Sequence, residues 1–300
     1  MSIAVRPYPD PRRHPWRAEV AAAGLEGRVP SARFVGGTPR RVGQGSVGLM
    51  AAPAGSAEQS SQLLFGETFT VYDEAGGWAW GQNATDGYVG YLPTAALAAT
   101  PLPPSHRVTA LRSFLYPEPA LKRPPLDLVH LTTTLAVAGP PDNGYLPVAG
   151  GGWLFAGHLA PLAVVEPDPV VTALRLIGTP YLWGGRGSLG IDCSALVQLA
   201  LAAAGVAAPR DSDMQRGEVG VSLGPVPADG AGVSFRRGDL VFFPGHVGIM
   251  LDGDRLVHAT AFVMAVTVEP LAAVIARTDP TRGGGLLAVR RLPDLPAAGA

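Results

Sequence analysis

"PYLWGGRGSLGIDCSALVQLAL", residues 180–201, holds the only cysteine among 300 residues. A glycine-rich stretch leads into a run that is apolar almost all round from Cys193 to about Ala204, which predicts a buried helix. Asp192 stands where an N-cap belongs and Gly205 where a left-handed C′ residue belongs. Cys193 therefore opens the helix. There the backbone N–H groups point outward and the macrodipole is positive, and both favour thiolate over thiol. The neighbouring Asp192 carboxylate opposes them. A lone cysteine is ordinarily a small buried hydrophobe. One at a helix start becomes a nucleophile when a histidine takes its proton.

The glycines before the helix (Gly185, Gly187, Gly190) spell G-x-G-x-x-G, and Asp211 lies about twenty residues on, as in a dinucleotide-binding fingerprint. The context excludes that reading. The fingerprint needs a strand immediately before the glycines and a parallel strand after the helix. Here "TPYLW" precedes and "APRDSDMQ" follows. The glycines are read instead as letting the backbone turn tightly beside the cysteine.

Six histidines are available, at 14, 106, 130, 158, 246 and 258. The first four have no special company. His246 and His258 stand on two consecutive predicted strands, "HVGIML" (246–251) and "LVHAT" (256–260), joined through "DGDR". If these form a hairpin, the loop length decides whether the rings meet. A two-residue Asp252-Gly253 turn sends them to opposite faces. A three-residue loop, 252–254, puts them on one face, two positions apart in register. Further strands are expected at 239–243, 264–269 and 286–292, and a helix on the spacing of Val170, Val171, Leu174 and Ile177, ended by Gly178. A helix followed by an antiparallel meander makes this part an α+β domain.

Upstream the character changes. Residues 1–24 are rich in proline and arginine and read as an irregular or partly helical arm. In 25–99, Phe69 and Val71 alternate with threonines, Trp78 and Trp80 with small residues, and turn signals separate the runs. That is a small barrel or sandwich. "ATPLPPS" (99–105) reads as a linker, and a second β-like unit fills 100–165, with "PEPALKRPPL" as a rigid loop. "GGWAWG" and "GGWLFAG" suggest a weak internal repeat between the two. The last domain is expected at 166–295.

Composition narrows the function. A net charge of -1 with no basic cluster argues against nucleic-acid binding. No run of about 18 apolar residues predicts a membrane span. The first twenty residues lack the apolar core of a signal peptide, so a cytoplasmic location is expected, or a periplasmic or extracellular one if a leader lies outside this sequence. One cysteine allows no internal disulfide. No metal or other cofactor is called for, and nothing sets an oligomeric state.

"PYLWGG", "GIDCSALVQLAL", "APRDSDMQ" and "FRRGDLVFFPGHVGIMLDGDRLVHA" together resemble the NlpC/P60 family of cysteine peptidases. The motifs fall in the family's order through most of 168–292. Ala195 stands where the family's Asp-Cys-Ser is usually followed by glycine. "GETFTVYDEAGGWAWGQNATDGYVGYLP" looks like a bacterial SH3 (SH3b) domain, and the second unit resembles a more divergent one. The resemblance implies a multidomain chain: two small all-β SH3b barrels, then an α+β papain-like NlpC/P60 domain. It further implies a peptidase that cuts the γ-D-glutamyl to diamino acid bond of murein stem peptides, with a free N-terminal L-alanine, in wall-peptide recycling or turnover.

Residue by residue, the resemblance makes Cys193 the nucleophile, His246 the general base and His258 its orienting partner. The Tyr181 hydroxyl and the Cys193 N–H would stabilise the oxyanion. Asp192, Ser194, Glu67 and Tyr88 would bind substrate, the acidic ones holding its ammonium. Arg210 and Asp211 would either pair structurally or touch substrate. Two other readings compete: a non-catalytic wall-binding SH3b module, and an amidase or acyltransferase of the same fold.

Overall fold

Seven antiparallel strands organise the first part of the chain: β1 (Thr38–Val42), β2 (Ser46–Met50), β3 (Gln59–Leu64), β4 (Thr68–Ala75), β5 (Trp78–Asn83), β6 (Val89–Pro93) and β7 (Leu97–Ala98). Their order in the sheet is β3-β2-β6-β5-β4-β1-β7. The computed structural model describes residues 8–99, 102–278 and 284–293. Residues 1–7 of the expected arm, 100 and 101 of the expected linker, and 279–283 and 294–295 of the last expected domain lie outside that set. The β4–β5 hairpin closes on Gly76 and Gly77, both at positive φ (58° and 81°), between paired Ala75 and Trp78. A two-residue turn with both φ positive matches the strand twist, and glycine enters that region without a Cβ clash. The alternation in β4 holds, with Phe69 and Val71 buried beside Leu49, Leu63 and Leu92.

The described part of the arm is irregular from 8 to 20, apart from a bridge at Trp16, and then orders. Ala21–Ala22 pairs in parallel with Phe34–Val35, a 3-10 turn spans Ala23–Leu25, and Ala21, Leu25 and Val29 form a small core with Trp16 and Phe34. Arg17 anchors it: its guanidinium pairs with Asp73 and lies 4.6 Å over the Trp80 ring.

Between 106 and 161 the strands are short. Arg112–Leu115 pairs with Asp127–His130, and Tyr145–Pro147 with Trp153–Phe155. "PEPALKRPPL" is loop. As in β4–β5, the tryptophan strand follows positive-φ glycines, here Gly151 and Gly152. The chain divides into two compact units. One joins the described residues up to His106 with Ser113–His158, and the other joins Arg107–Arg112 with the described residues from Leu159 on.

The second unit is built on a six-stranded antiparallel sheet. Its strands are β8 (Val221–Ser222), β9 (Leu240–Phe243), β10 (His246–Met250), β11 (Arg255–Thr260), β12 (Ala265–Pro270) and β13 (Ala288–Arg291), in the order β8-β13-β9-β10-β11-β12. Four helices accompany them: α1 (Pro169–Arg175), α2 (Cys193–Ala203), α3 (Ser212–Glu218) and α4 (Leu271–Arg277). All five expected strands form; α3, α4 and the edge strand β8 were not foreseen. In α1 the buried face is Val170, Thr172 and Ala173, followed by Leu176, whereas Val171 and Ile177 are exposed. The expected stripe is thus rotated, because apolar residues on both faces of so short a segment leave its orientation to packing.

Helix α2 packs against β10 and is buried along nearly its whole length. It ends as expected. Gly205 has φ 78°, its N–H bonds the Ala202 carbonyl, and the Val206 N–H bonds the Leu201 carbonyl at 2.8 Å. This is the paired closure that a left-handed C′ residue permits.

Candidate active site

The hairpin β10–β11 closes on a three-residue loop. Leu251 N–H bonds the Arg255 carbonyl, Met250 pairs with Leu256, and Ile249 with Val257. In that register His246 lies opposite Thr260 and His258 opposite Gly248, so both histidines share a sheet face, two positions apart. His246 Nε2 is 2.8 Å from His258 Nδ1. Of the two loop lengths the sequence allows, the longer forms. Gly248 makes the approach possible: a Cβ there would sit 2.4 Å from Leu256 Cδ1 and 3.3 Å from His258 Cβ.

Cys193 is the first residue of α2 and buried, and the backbone N–H groups of Val247 and Ser194 hydrogen-bond its sulfur. The contact with Val247 sets the thiol beside the start of β10, the strand whose first residue is His246. Burial first, and then the Asp192 charge, push the thiol up to about 12, against the pull of those N–H bonds and of Arg210. Burial, followed by His258 and Arg277, pushes His246 down to about 3. The two groups are therefore neutral thiol and neutral imidazole. Such a pair can pass a proton as the thiol attacks. Tyr181 stands close enough to Cys193 and Asp192 to feel both, and burial in the first place raises its hydroxyl to about 12. It remains a donor at every working pH.

Asp192 and Ser194 carry structural hydrogen bonds that the sequence did not announce. Asp192 does cap α2, accepting from the Ala195 N–H at 2.9 Å. Its two oxygens also accept from the Gly184 N–H, the Ser194 hydroxyl and, at 3.0 and 2.5 Å, both terminal nitrogens of Arg210. Arg210, only 1% exposed, also donates to Ser194 Oγ at 2.8 Å. Five donors saturate the carboxylate, and the Ser194 hydroxyl is used in both directions. Beside the expected roles, Asp192 for a substrate ammonium and Ser194 for substrate, both side chains anchor the helix that carries the nucleophile. Gln215 adds to the anchor by donating from Nε2 to the Ser194 and Pro209 carbonyls. Of the pair in "PRDSD", Arg210 takes the structural role, while Asp211 is the N-cap residue of α3.

Glu67 and Tyr88 belong to the other compact unit. Both are buried there. Glu67 accepts from the Leu64 N–H at 3.0 Å and from Asn83 Nδ2 at 3.4 Å, tying the turn between β3 and β4 to β5. Tyr88 closes the β5–β6 loop: its N–H bonds Asp86 and its carbonyl receives the Asn83 N–H.

Two residues of the site escaped the sequence reading. Glu269, on β12, has Oε2 2.9 Å from His258 Nε2. Arg277, in the last turn of α4, grips both oxygens of Glu269 at 2.6 Å. The sequence signal existed, a carboxylate on the strand after His258. Its register depends on the 261–264 loop, and α4 was not predicted. The glycine-rich approach to Cys193 is a tight hairpin, with Arg186 opposite Ile191 and Gly187 opposite Gly190. A Cβ on Gly185 would lie 2.5 Å from the Gly190 carbonyl oxygen, so glycine serves the close turn rather than a phosphate. Among the described residues, no group of three or more His, Cys, Asp or Glu is placed to hold a metal ion. No helix among them is long and apolar enough to cross a membrane.

Residues 178–278 match the NlpC/P60 family, and the whole site lies in or at the edge of that span. That span carries the NlpC/P60 sequence pattern. Residues 49–97 match the SH3 domain of bacterial dipeptidyl-peptidases, so one SH3-like domain precedes the NlpC/P60 domain. The match does not extend to the second β unit at 106–161. A dipeptidyl-peptidase 6 of Lysinibacillus sphaericus is 40% identical over 122 residues, 40% of this chain, which spans 42% of that protein's length. A gamma-D-glutamyl-L-lysine dipeptidyl-peptidase of Bacillus subtilis is 28% identical over 256 residues, 77% of this chain and 80% of that one. In fold, the NlpC/P60 family protein of Bacillus cereus superimposes with a TM-score of 0.70 at 21% identity, covering 85% of this chain and 100% of that one.

Proposed function

We propose that the NlpC/P60 domain of this chain hydrolyses the γ-D-glutamyl to diamino acid bond of murein stem peptides, with Cys193 as nucleophile. The observation that supports the chemistry is a thiol on the first residue of α2, against Val247 of the strand that opens with His246, whose Nε2 lies 2.8 Å from a second histidine. The bond rests on a relative's printed activity, gamma-D-glutamyl-L-lysine dipeptidyl-peptidase, and the free-amine preference on the resemblance given by the sequence motifs. We further assign 25–99 and 100–165 as successive SH3-like units and 166–295 as the catalytic domain; the shared glycine-hairpin and tryptophan-strand plan supports the second SH3 assignment.

His246 Nδ1, the ring nitrogen not turned to His258, takes the thiol proton as sulfur bonds to the scissile carbonyl carbon. The carbonyl oxygen gains negative charge and receives the Cys193 N–H, which as the first residue of α2 lies outside the helix's own ladder, and the Tyr181 hydroxyl. The C–N bond then breaks, and His246 returns the proton to the departing amine. Water, deprotonated by the same nitrogen, opens the thioester and restores the thiol.

The test is incubation with L-Ala-γ-D-Glu-diamino acid peptides and their N-acetylated forms. Release of the diamino acid portion, lost in Cys193→Ala, is expected. The free-amine form should be cleaved faster. Binding of wall fragments with no cleavage would overturn the peptidase reading in favour of a binding module, and equal rates on both peptides would remove the free-amine preference.

A further inference from the structure

The side chains of His246, His258 and Glu269 form a straight diagonal across β10, β11 and β12. Each step shifts by two residues: His246 lies opposite Thr260, and Glu269 opposite Leu256, on either side of His258. Diagonal neighbours on one sheet face are within reach of long side chains, and the contacts are 2.8 and 2.9 Å. Arg277 closes the far end of the line. Its guanidinium holds Glu269 in a two-pronged grip and itself lies 4.1 Å over the Phe262 ring. A structural ion pair would not need its carboxylate aimed at a fully buried histidine.

We infer that Glu269, held by Arg277, is a positioning residue that dictates which nitrogen of His258, and through it which nitrogen of His246, carries the proton. The inference rests on the reading of Cys193 and His246 as the reacting pair. An ionised carboxylate only accepts hydrogen bonds, and Arg277 first of all holds the Glu269 carboxyl below the usual range. His258 Nε2 must therefore be the donor. Burial keeps His258 neutral, although Glu269 pulls the other way, so its Nδ1 carries a lone pair. That lone pair faces His246 Nε2, which must then bear the hydrogen. What remains on His246 is an unprotonated Nδ1, the form that can accept the thiol proton. Reversing the first hydrogen bond reverses both rings and leaves an N–H where the base should be. The ordering of tautomers by the outer partner is a general property of histidine.

Glu269→Gln is the informative substitution. It keeps the size but offers Arg277 an oxygen and His258 an NH2 donor, which favours the opposite tautomer. Expected is a kcat at least about tenfold lower with KM held, an equal slowing of Cys193 alkylation by iodoacetamide, and His258 protonated at Nδ1 in 15N NMR. Glu269→Asp should recover part of the rate. Wild-type protein should show His258 and His246 both protonated at Nε2. That measurement needs no substitution, so it stands even if a variant fails to fold. Protonation of wild-type His258 at Nδ1 overturns the inference, as does a Glu269→Gln protein with wild-type kcat and alkylation rate. Alkylation and NMR use no peptide, so absence of hydrolysis in the wild type would count against the proposed substrate alone.

Discussion

Asp192 offers the sharpest division between a substrate contact and a structural anchor. Asp192→Asn keeps the shape and the N-cap acceptor, which Asn supplies about as well as Asp. It removes the charge that neutralises Arg210, whose side chain is 1% exposed and whose two terminal nitrogens both end on that carboxylate. Removing one partner of a buried pair costs about 3–5 kcal/mol, because the other charge stays buried without its counter-ion. Against a total stability of about 5–15 kcal/mol this is a large fraction. At a urea slope of about 1–3 kcal/mol/M the midpoint should fall by more than about 1 M. The assay is urea unfolding followed by circular dichroism, for Asp192→Asn, Arg210→Met and the double variant. The double variant removes both charges, so its loss should be smaller than the sum of the singles by about 2 kcal/mol or more. The substrate-contact alternative makes the opposite forecast, an unchanged midpoint and a raised KM for the free-amine peptide. A loss below about 1 kcal/mol together with that KM effect refutes the anchor.

Stability should peak between the two shifted groups. His246 is pushed down to about 3, so the unfolded chain takes up a proton below its ordinary pKa of about 6.5 while the folded one does not, and stability falls as pH drops through that window. Cys193 is pushed up to about 12, so the unfolded thiol ionises first above about 8.5, and stability falls again as pH rises. Melting temperature against pH should show both limbs, with Cys193→Ala flattening the alkaline one and His246→Gln the acidic one. Gly248→Ala places a methyl group 2.4 Å from Leu256 Cδ1 and 3.3 Å from His258 Cβ. It should cost about 1–3 kcal/mol through overpacking and lower kcat by displacing His258, while an unchanged kcat would mean the ring does not depend on that space. Gly205→Ala forces a Cβ into φ 78° and to 3.1 Å from Val165 Cγ1. A loss of about 1–2 kcal/mol in denaturant, with kcat untouched, is expected.

Local signals were read well wherever a residue's role is decided by its immediate neighbours. The α2 cap at Asp192, its left-handed stop at Gly205, the glycine hairpin before Cys193 and the five strands of the meander all depend on dihedral preference and short-range periodicity. They are visible in a window of about ten residues. The α1 stripe was misplaced, since Val171 and Ile177 are as apolar as the residues that are buried. The anchoring role of Asp192 and Ser194 escaped the sequence for a different reason. Their partner, Arg210, lies 16 to 18 positions away, and nothing in "GIDCS" announces that a buried guanidinium will claim both.

The sequence by itself determined that one thiol would open a buried helix and that two histidines would stand on adjacent strands. It left the loop between those strands with two lengths, and hence the rings with two faces. Only the tertiary structure chose 252–254: both strands are buried on both faces, so alternation could not set the register, and the one that forms places Gly248 opposite His258. It also decided what lies beyond His258. Glu269 and Arg277 reach it through a loop and a helix whose placement comes from packing on the sheet, and packing is a sum over distant contacts that no local window contains.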